Sequence, residues 1–227
     1  MNEFKIKPII DNHELIRLFG GGRSSRFSRS TKEKIKDMED VLIDRMKPSI
    51  YYLEREIDSV RKGSIHLQGG PVFKSTKLSK TMKGCEKVIC FIATLGSSID
   101  NKIKDLMNQN RFSDAYVLDA MGSVAVENMV DRFHKREAEK YNRKSQGITL
   151  PFSPGYCDWP LTDQKKIFKF FDSFKLNVVL SESCLMSPRK SISGVFGVTP
   201  FHLTNPFHPY NPCMECSKKN CIARRSN

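Results

Sequence analysis

The sequence predicts an α+β fold, and three observations carry that prediction. Residues 113–140 place Ala115, Val117, Leu118, Met121, Val124, Ala125, Met129, Val130 and Phe133 in a wide apolar stripe at helical spacing. The run "KVICFIAT", 87–94, is short, apolar and rich in strand formers, so it predicts a buried strand. Helix-like and strand-like stretches follow one another irregularly, without an internal repeat or a low-complexity segment.

The elements follow in chain order. "SRSTKEKIKDMEDVLIDRM" opens with Ser30 and sets Glu33 three residues on, the spacing of a capping box. Ile35, Met38, Val41, Leu42 and Met46 continue it as an amphipathic helix, and Pro48 stops it. From Tyr51 to Leu67 the pattern is irregularly β-like, with "RKG" as the turn. After the strand at 87–94, "LGSSIDNKIKDLM" predicts a helix capped by Ser97 or Ser98. The long helix ends in the solvated "HKREAEKY", and a loop through Gly147 leads to "SPGYCDWPLTDQ". "LTDQKKIFKFFDSF" predicts a short helix capped by Thr162; "NVVLSES" and "SISGVFGVT" predict strands. The end, "NPFHPYNPCMECSKKNC", is rich in Pro and Cys and has no period.

Composition bounds what such a chain can be. Its 227 residues, 39% of them apolar, suit one domain or one domain with a small appendage. No apolar run approaches the roughly 18 residues of a membrane span, and "MNEFKIKPIIDNHE" has no long apolar stretch of a signal peptide. These features predict a soluble cytoplasmic protein without a membrane partner. The net charge of +13 raises nucleic acid as a partner, but the cations are spread along the chain and no nucleic-acid signature accompanies them. A solvated basic face, or a dock for an acidic protein, is the expectation instead. The dinucleotide and phosphate loops, HExxH and GxSxG are all absent.

Three stretches have residue types that chemistry uses. In "SPGYCDWP", Pro154 fixes one backbone angle and Gly155 permits φ > 0, so main-chain groups lie open beside the ring of Tyr156. That suits a flat polar ligand such as adenine; it equally suits a rigid turn packed on the core by Tyr156 and Trp159. In "VLSESCLMSPRKSISG", Glu182 lies among Ser181, Ser183, Ser187, Ser191 and Ser193, hydroxyls that cap turns or line a polar cleft. Glu127 lies within or beside the apolar stripe of the long helix, as a surface residue or as the anchor of a cationic group.

Taken together and in this order, "VENMVDRFH", "SPGYCDWPLTDQKKIFKFFD" and "LSESCLMSPRKSISGVFG" resemble the activation domain of cobalamin-dependent methionine synthase. "GCEKVICFIATLGSSID" and the Cys-rich end are similar to stand-alone bacterial proteins built on that domain. The resemblance covers residues 80–227 well and the first 80 weakly. It implies a curved single domain with a twisted antiparallel sheet flanked by helices, binding S-adenosylmethionine in a shallow groove. It also implies docking on a separate corrinoid methyltransferase, with a flavodoxin- or ferredoxin-like donor supplying an electron while the bound sulfonium methylates oxidised cobalamin. The cobalt chemistry belongs to that cofactor, held by the partner, and the domain positions the methyl group.

By the same resemblance Glu127 meets the ligand's amino group. Ser153, Pro154, Gly155 and Tyr156 form the ligand loop, with Ser153 acting through its backbone. Glu182 and Ser183 shape the cleft. One departure stands out: the family has an Arg just ahead of the turn for the ligand carboxylate, and Pro151 stands at the nearest position here. The missing contact is worth about 1.5–3 kcal/mol, so the resemblance also fits a binding module that has lost the ligand. The corrinoid motif Asp-x-His-x-x-Gly is absent too, since "DNHELI" has Ile16 in place of Gly. The chain alone is therefore not a complete methionine synthase.

Cys213, Cys216 and Cys221 have a spacing that lets three thiolates converge on zinc or an iron–sulfur cluster, with His208, Cys184 or Cys157, or an exogenous group on a cluster, as a fourth ligand. The alternative is a tail of free thiols. The expected organisation is an N-terminal helix and strand region at 1–80 integral to the fold, an activation-domain-like core at 81–212, and a Cys-rich tail at 213–227.

Overall fold

The computed structural model describes residues 2–4, 8–20, 26–200, 211, 214 and 215. The elements run β1 (Asn2–Phe4), α1 (Asn12–Leu18), α2 (Arg29–Arg45), β2 (Ser49–Arg61), β3 (Ser64–Leu67), β4 (Val72–Lys74), α3 (Thr76–Thr81), β5 (Lys87–Thr94), α4 (Ser98–Asn108), α5 (Phe112–Asn142), β6 (Gln146–Ile148), a 3-10 turn (Leu161–Asp163), α6 (Gln164–Lys169), β7 (Val179–Leu180), β8 (Met186–Ser187) and β9 (Ser191–Pro200). The fold is α+β, as the sequence predicts.

One antiparallel sheet organises the molecule in the order β4-β3-β2-β5-β9-β6, with β1 also paired to β2. Strand β5 is central. It pairs with β2 from Ser49↔Thr94 to Glu56↔Lys87 and with β9 from Lys87↔Val198 to Thr94↔Ser191. A central strand is covered on both faces, so its sequence reads as continuous apolar residues rather than alternating ones. Ile89, Phe91 and Ala93 face α5, while Val88, Cys90 and Ile92 face the cluster of Trp159, Ile167 and Phe171. Helix α5 is seated by Phe133, fully buried, whose ring lies 4.9 Å from Tyr52, 6.2 Å from Phe91 and 5.9 Å from Phe196.

Three local expectations are corrected. Helix α2 is capped by Ser28, whose Oγ accepts from the Thr31 N–H, and not by Ser30; Glu33 pairs instead with Arg29. The chain turns helical two residues earlier than the apolar period reveals. Thr162 caps nothing, because a 3-10 turn precedes α6 and puts Asp163 at the helix start. "NVVLSES" gives only the two-residue β7, which pairs with β8 in a small separate hairpin.

Candidate functional site

The Pro-Gly-Tyr turn is fixed from three directions. Phe152 exchanges two backbone hydrogen bonds of 2.8 Å with Val195, which sets the turn on the outer edge of β9. The loop then closes on itself, the Gly155 N–H donating to the Trp159 carbonyl at 2.9 Å. Gly155 has φ +91°, a conformation side-chain-bearing residues rarely adopt. Trp159 is the anchor: it is buried, stacks on Phe152 at 5.8 Å, meets Phe73 edge-on at 5.2 Å, and donates from Nε1 to Asp163 Oδ2 at 3.0 Å.

Asp158 ties the turn to α3. Its carboxylate accepts from Ser75 Oγ at 2.6 Å, the Thr76 N–H at 2.7 Å and the Lys77 N–H at 3.2 Å. Burial alone would raise its pKa; the bonds from Ser75, Lys77 and Thr76 outweigh that and hold it below the usual carboxylate value. The rigid turn is therefore real, with a division of labour. Trp159 does the packing, whereas Tyr156 is 43% exposed and is not used as core.

Glu127 is exposed on α5. Its place follows from its helical neighbours. Ser123, one turn earlier, accepts from Lys190 Nζ at 2.9 Å just ahead of β9. His134, about two turns later, bonds the Thr149 carbonyl through Nε2 at 2.8 Å, where the chain runs beside Gly197. Residues 123, 127 and 134 fall on one strip of the helix. Glu127 thus runs along the part of β9 between Lys190 and Gly197. The turn crosses that same part. A Cβ on Gly194 would fall 2.8 Å from Phe91 Cζ, 2.9 Å from Ser153 Oγ and 3.0 Å from the Phe152 carbonyl. Only glycine admits this approach, and Phe91 shows that Ser153 lies over the α5 side of the sheet.

A length of strand edge is left beside these groups. Val195 turns its N–H and C=O away from β5 toward Phe152. Ser193, two residues earlier, points its main-chain groups the same way. Among the described residues no strand continues past Phe152 to meet it. Ser153 and the edge at Ser193 thus lie along the stretch of β9 that Glu127 follows, while Tyr156 leaves its ring exposed on the turn.

The Glu-Ser motif sits in the turn between β7 and β8. Ser181 Oγ bonds Ser183 Oγ at 2.9 Å and accepts from the Leu185 N–H at 3.0 Å, closing the β7–β8 hairpin. Ser191 Oγ donates to Thr94 Oγ1 or the Pro188 carbonyl, both at 2.8 Å, and Ser193 Oγ accepts from Gln164 Nε2 at 3.0 Å. The serine run satisfies turns and interior groups. Glu182 lines a separate open cleft of about 470 Å³ with Phe168, Phe171, Phe174 and Leu176. Arg143 and Lys144 line a different depression with Arg136 and Lys140.

Cys213, Cys216, Cys221 and His208 lie outside the described residues. Among the described residues no three His, Cys, Asp or Glu side chains group as a metal site. Burial pushes the thiols of Cys85 and Cys90 up to about 12, which makes them poor ligands. Cys184 is buried in the hairpin, and Cys157 is exposed on the Pro-Gly-Tyr turn. Glu215, between two of the tail cysteines in sequence, bonds Lys77 Nζ at 2.7 Å and Lys80 Nζ at 2.8 Å, which hold its carboxyl near a pKa of about 2. Glu215 therefore meets α3, the helix that Asp158 also bonds.

Sequence reasoning missed Lys190 and Asp119. The lysine is buried and its Nζ lies 2.8 Å from Asp119 Oδ1, but in "MSPRKSISG" it reads as one more solvated cation. Asp158 was equally silent, since its partners are about eighty residues away.

No family model matches the chain, and no curated protein matches it significantly. A solved structure does: the crystal structure of the MetH reactivation domain bound to AdoHcy superposes with a TM-score of 0.65 at 16% identity, covering 88% of this chain and 78% of that one. No helix among the described residues is long and apolar enough to cross a membrane. The chain has the fold of the MetH reactivation domain.

Proposed function

We propose that this protein binds S-adenosylmethionine on the surface bordered by α5, the outer edge of β9 and the Pro-Gly-Tyr turn. There it would assist the reductive methylation of cobalamin on a separate corrinoid methyltransferase. What supports this reading is Ser153 lying against Gly194 of β9 and the Ser123–Lys190 bond one helical turn from Glu127, in a fold shared with a domain solved with AdoHcy. Glu127 suits the ligand's ammonium, the Ser153 backbone and the Ser193 edge suit the adenine, and Tyr156 offers it a ring face. In this reading the ligand lies on an open face, as a methyl donor must if a second protein is to reach its methyl group.

The partner's corrinoid, its cobalt(II) first reduced by one electron to cobalt(I), would take the methyl group, a Co–CH₃ bond forming as the sulfonium S–CH₃ bond breaks and AdoHcy leaves. This chain contributes orientation: the turn and α5 hold the two ends of the ligand so that the sulfonium faces outward. A flavodoxin- or ferredoxin-like protein would supply the electron. Cys213, Cys216 and Cys221 would hold zinc or an iron–sulfur cluster. Pro151 in the place of the family Arg favours a second reading, a docking module of the same fold that no longer takes the ligand.

Calorimetry with AdoHcy, followed by transfer of labelled methyl from S-adenosylmethionine to a corrinoid protein under low-potential reduction, separates the readings. Binding and transfer are the expected results. Folded protein that gives no heat at millimolar AdoHcy overturns the first reading in favour of the second.

A further inference from the structure

The ligand carboxylate has no cation at Pro151, yet the other end of the same surface has two. Lys190 is set on the α5 side of the sheet immediately before β9. Its stem lies over Gly122, and its Nζ is 2.8 Å from Asp119 Oδ1 and 2.9 Å from Ser123 Oγ, with a side chain only 6% exposed. Arg189 is its neighbour in sequence and in space. The Arg189 N–H is fixed by Asp100 Oδ2 at 2.7 Å, while its guanidinium touches Asp119 Oδ1 only loosely, Nη2 at 3.7 Å, and is 70% exposed. Asp119 is engaged closely by the lysine and weakly by the arginine.

The spacing matches one amino acid. Ser123, which holds Lys190, is one helical turn from Glu127, so their Cβ atoms are about 5–6 Å apart. The ammonium and carboxylate of an α-amino acid stem from a single carbon. A ligand whose ammonium meets Glu127 brings its carboxylate within reach of Lys190 and of an arginine free to swing from Asp119. The turn at Gly194 is four residues further along β9, about 13 Å at the rise of a strand, which leaves the nucleoside for Ser153 and Tyr156.

Resting on the reading of this surface given above, we infer that Arg189 and Lys190 together receive the carboxylate of the ligand's amino-acid end. They take over the charge that Pro151 does not supply. Arg189 makes the contact through its exposed guanidinium; Lys190 fixes Asp119 and adds charge beneath.

The test compares S-adenosylmethionine with its decarboxylated analogue by calorimetry on wild-type protein, Arg189→Gln and Lys190→Met. The wild type is expected to prefer the carboxylate-bearing ligand by about ten- to a hundredfold. Either variant should shrink that preference while leaving the affinity for the decarboxylated ligand unchanged, a pattern that a merely structural role does not produce. Arg189 is exposed, so its variant reads out even if Lys190→Met fails to fold. Wild-type preference that survives in Arg189→Gln and in folded Lys190→Met overturns the inference while the binding surface stands. Absence of binding by both ligands to folded wild type sinks the binding reading and the inference together.

Discussion

Removing the Asp158 carboxylate should loosen the Pro-Gly-Tyr turn by cutting its tie to α3. Asp158→Ala takes the acceptor from Ser75 Oγ, 2.6 Å away on a buried residue, and from the N–H groups of Thr76 and Lys77. A bond to a charged acceptor contributes about 1.5–3 kcal/mol, and loss of a helix cap costs about 0.5–2 kcal/mol. The freed N–H groups are exposed and regain water, and the carboxylate is itself solvent-facing, so the terms are discounted rather than summed. The expected loss is about 2 kcal/mol, or about 4–8 °C in Tm for a chain of this length. Asp158→Asn, which keeps one acceptor oxygen, should lose about half as much. The pH dependence has a definite sign. The folded pKa is depressed, so the charge contributes stability above the unfolded value of about 3.9 and loses it as pH falls through the folded value. Urea unfolding at pH 7 and across pH 3–5 reads both effects. The gap between wild type and Asp158→Asn should be constant at neutral pH and narrow below about pH 4. An Asp158→Ala protein within 0.5 kcal/mol of wild type at pH 7, on the order of an ordinary surface change, would refute the claim that this carboxylate anchors the turn.

Other perturbations follow from the same contacts. Gly194→Ala drives a Cβ to within 3.0 Å of Phe91, Ser153 and the Phe152 carbonyl, so about 1–3 kcal/mol of stability and the seat of the turn should be lost together in denaturation and AdoHcy titrations. Trp159→Ala removes the buried anchor of the turn and should cost about 3–5 kcal/mol by urea melt. Glu127→Gln, at an exposed position, should leave Tm within about 1 °C and weaken AdoHcy about tenfold or more by calorimetry. Anaerobic purification with iron, sulfide and zinc analysis should find bound metal that Cys216→Ser abolishes; metal-free, folded wild type would remove the tail site.

What could be read from the sequence was whatever has a period or an unbroken apolar run. Helix α5 and strand β5 were found nearly to the residue, because one has a wide stripe and the other is buried on both faces. The two-residue strands β7 and β8 and the six-residue α3 are too short for either signal and are held by their neighbours. The rigid turn was visible in Pro154, Gly155 and Trp159. Its attachment to α3 was not, because an Asp that caps a helix eighty residues earlier in the chain leaves no local trace. Lys190 was hidden for the same reason: its burial is made by Gly122 and Asp119 on another element. Of the ligand residues implied by resemblance, Ser153 lies against Gly194 of β9, Glu127 is exposed on α5, and Glu182 and Ser183 sit in the turn between β7 and β8.

A cocrystal structure with AdoHcy tests the proposed surface most directly. The expected result is density along β9 between Lys190 and Gly194, with the amino-acid end at Glu127 and the nucleoside beneath Ser153 and Tyr156. Density in the cleft of Phe168, Phe174 and Glu182, with that edge bare, would contradict it.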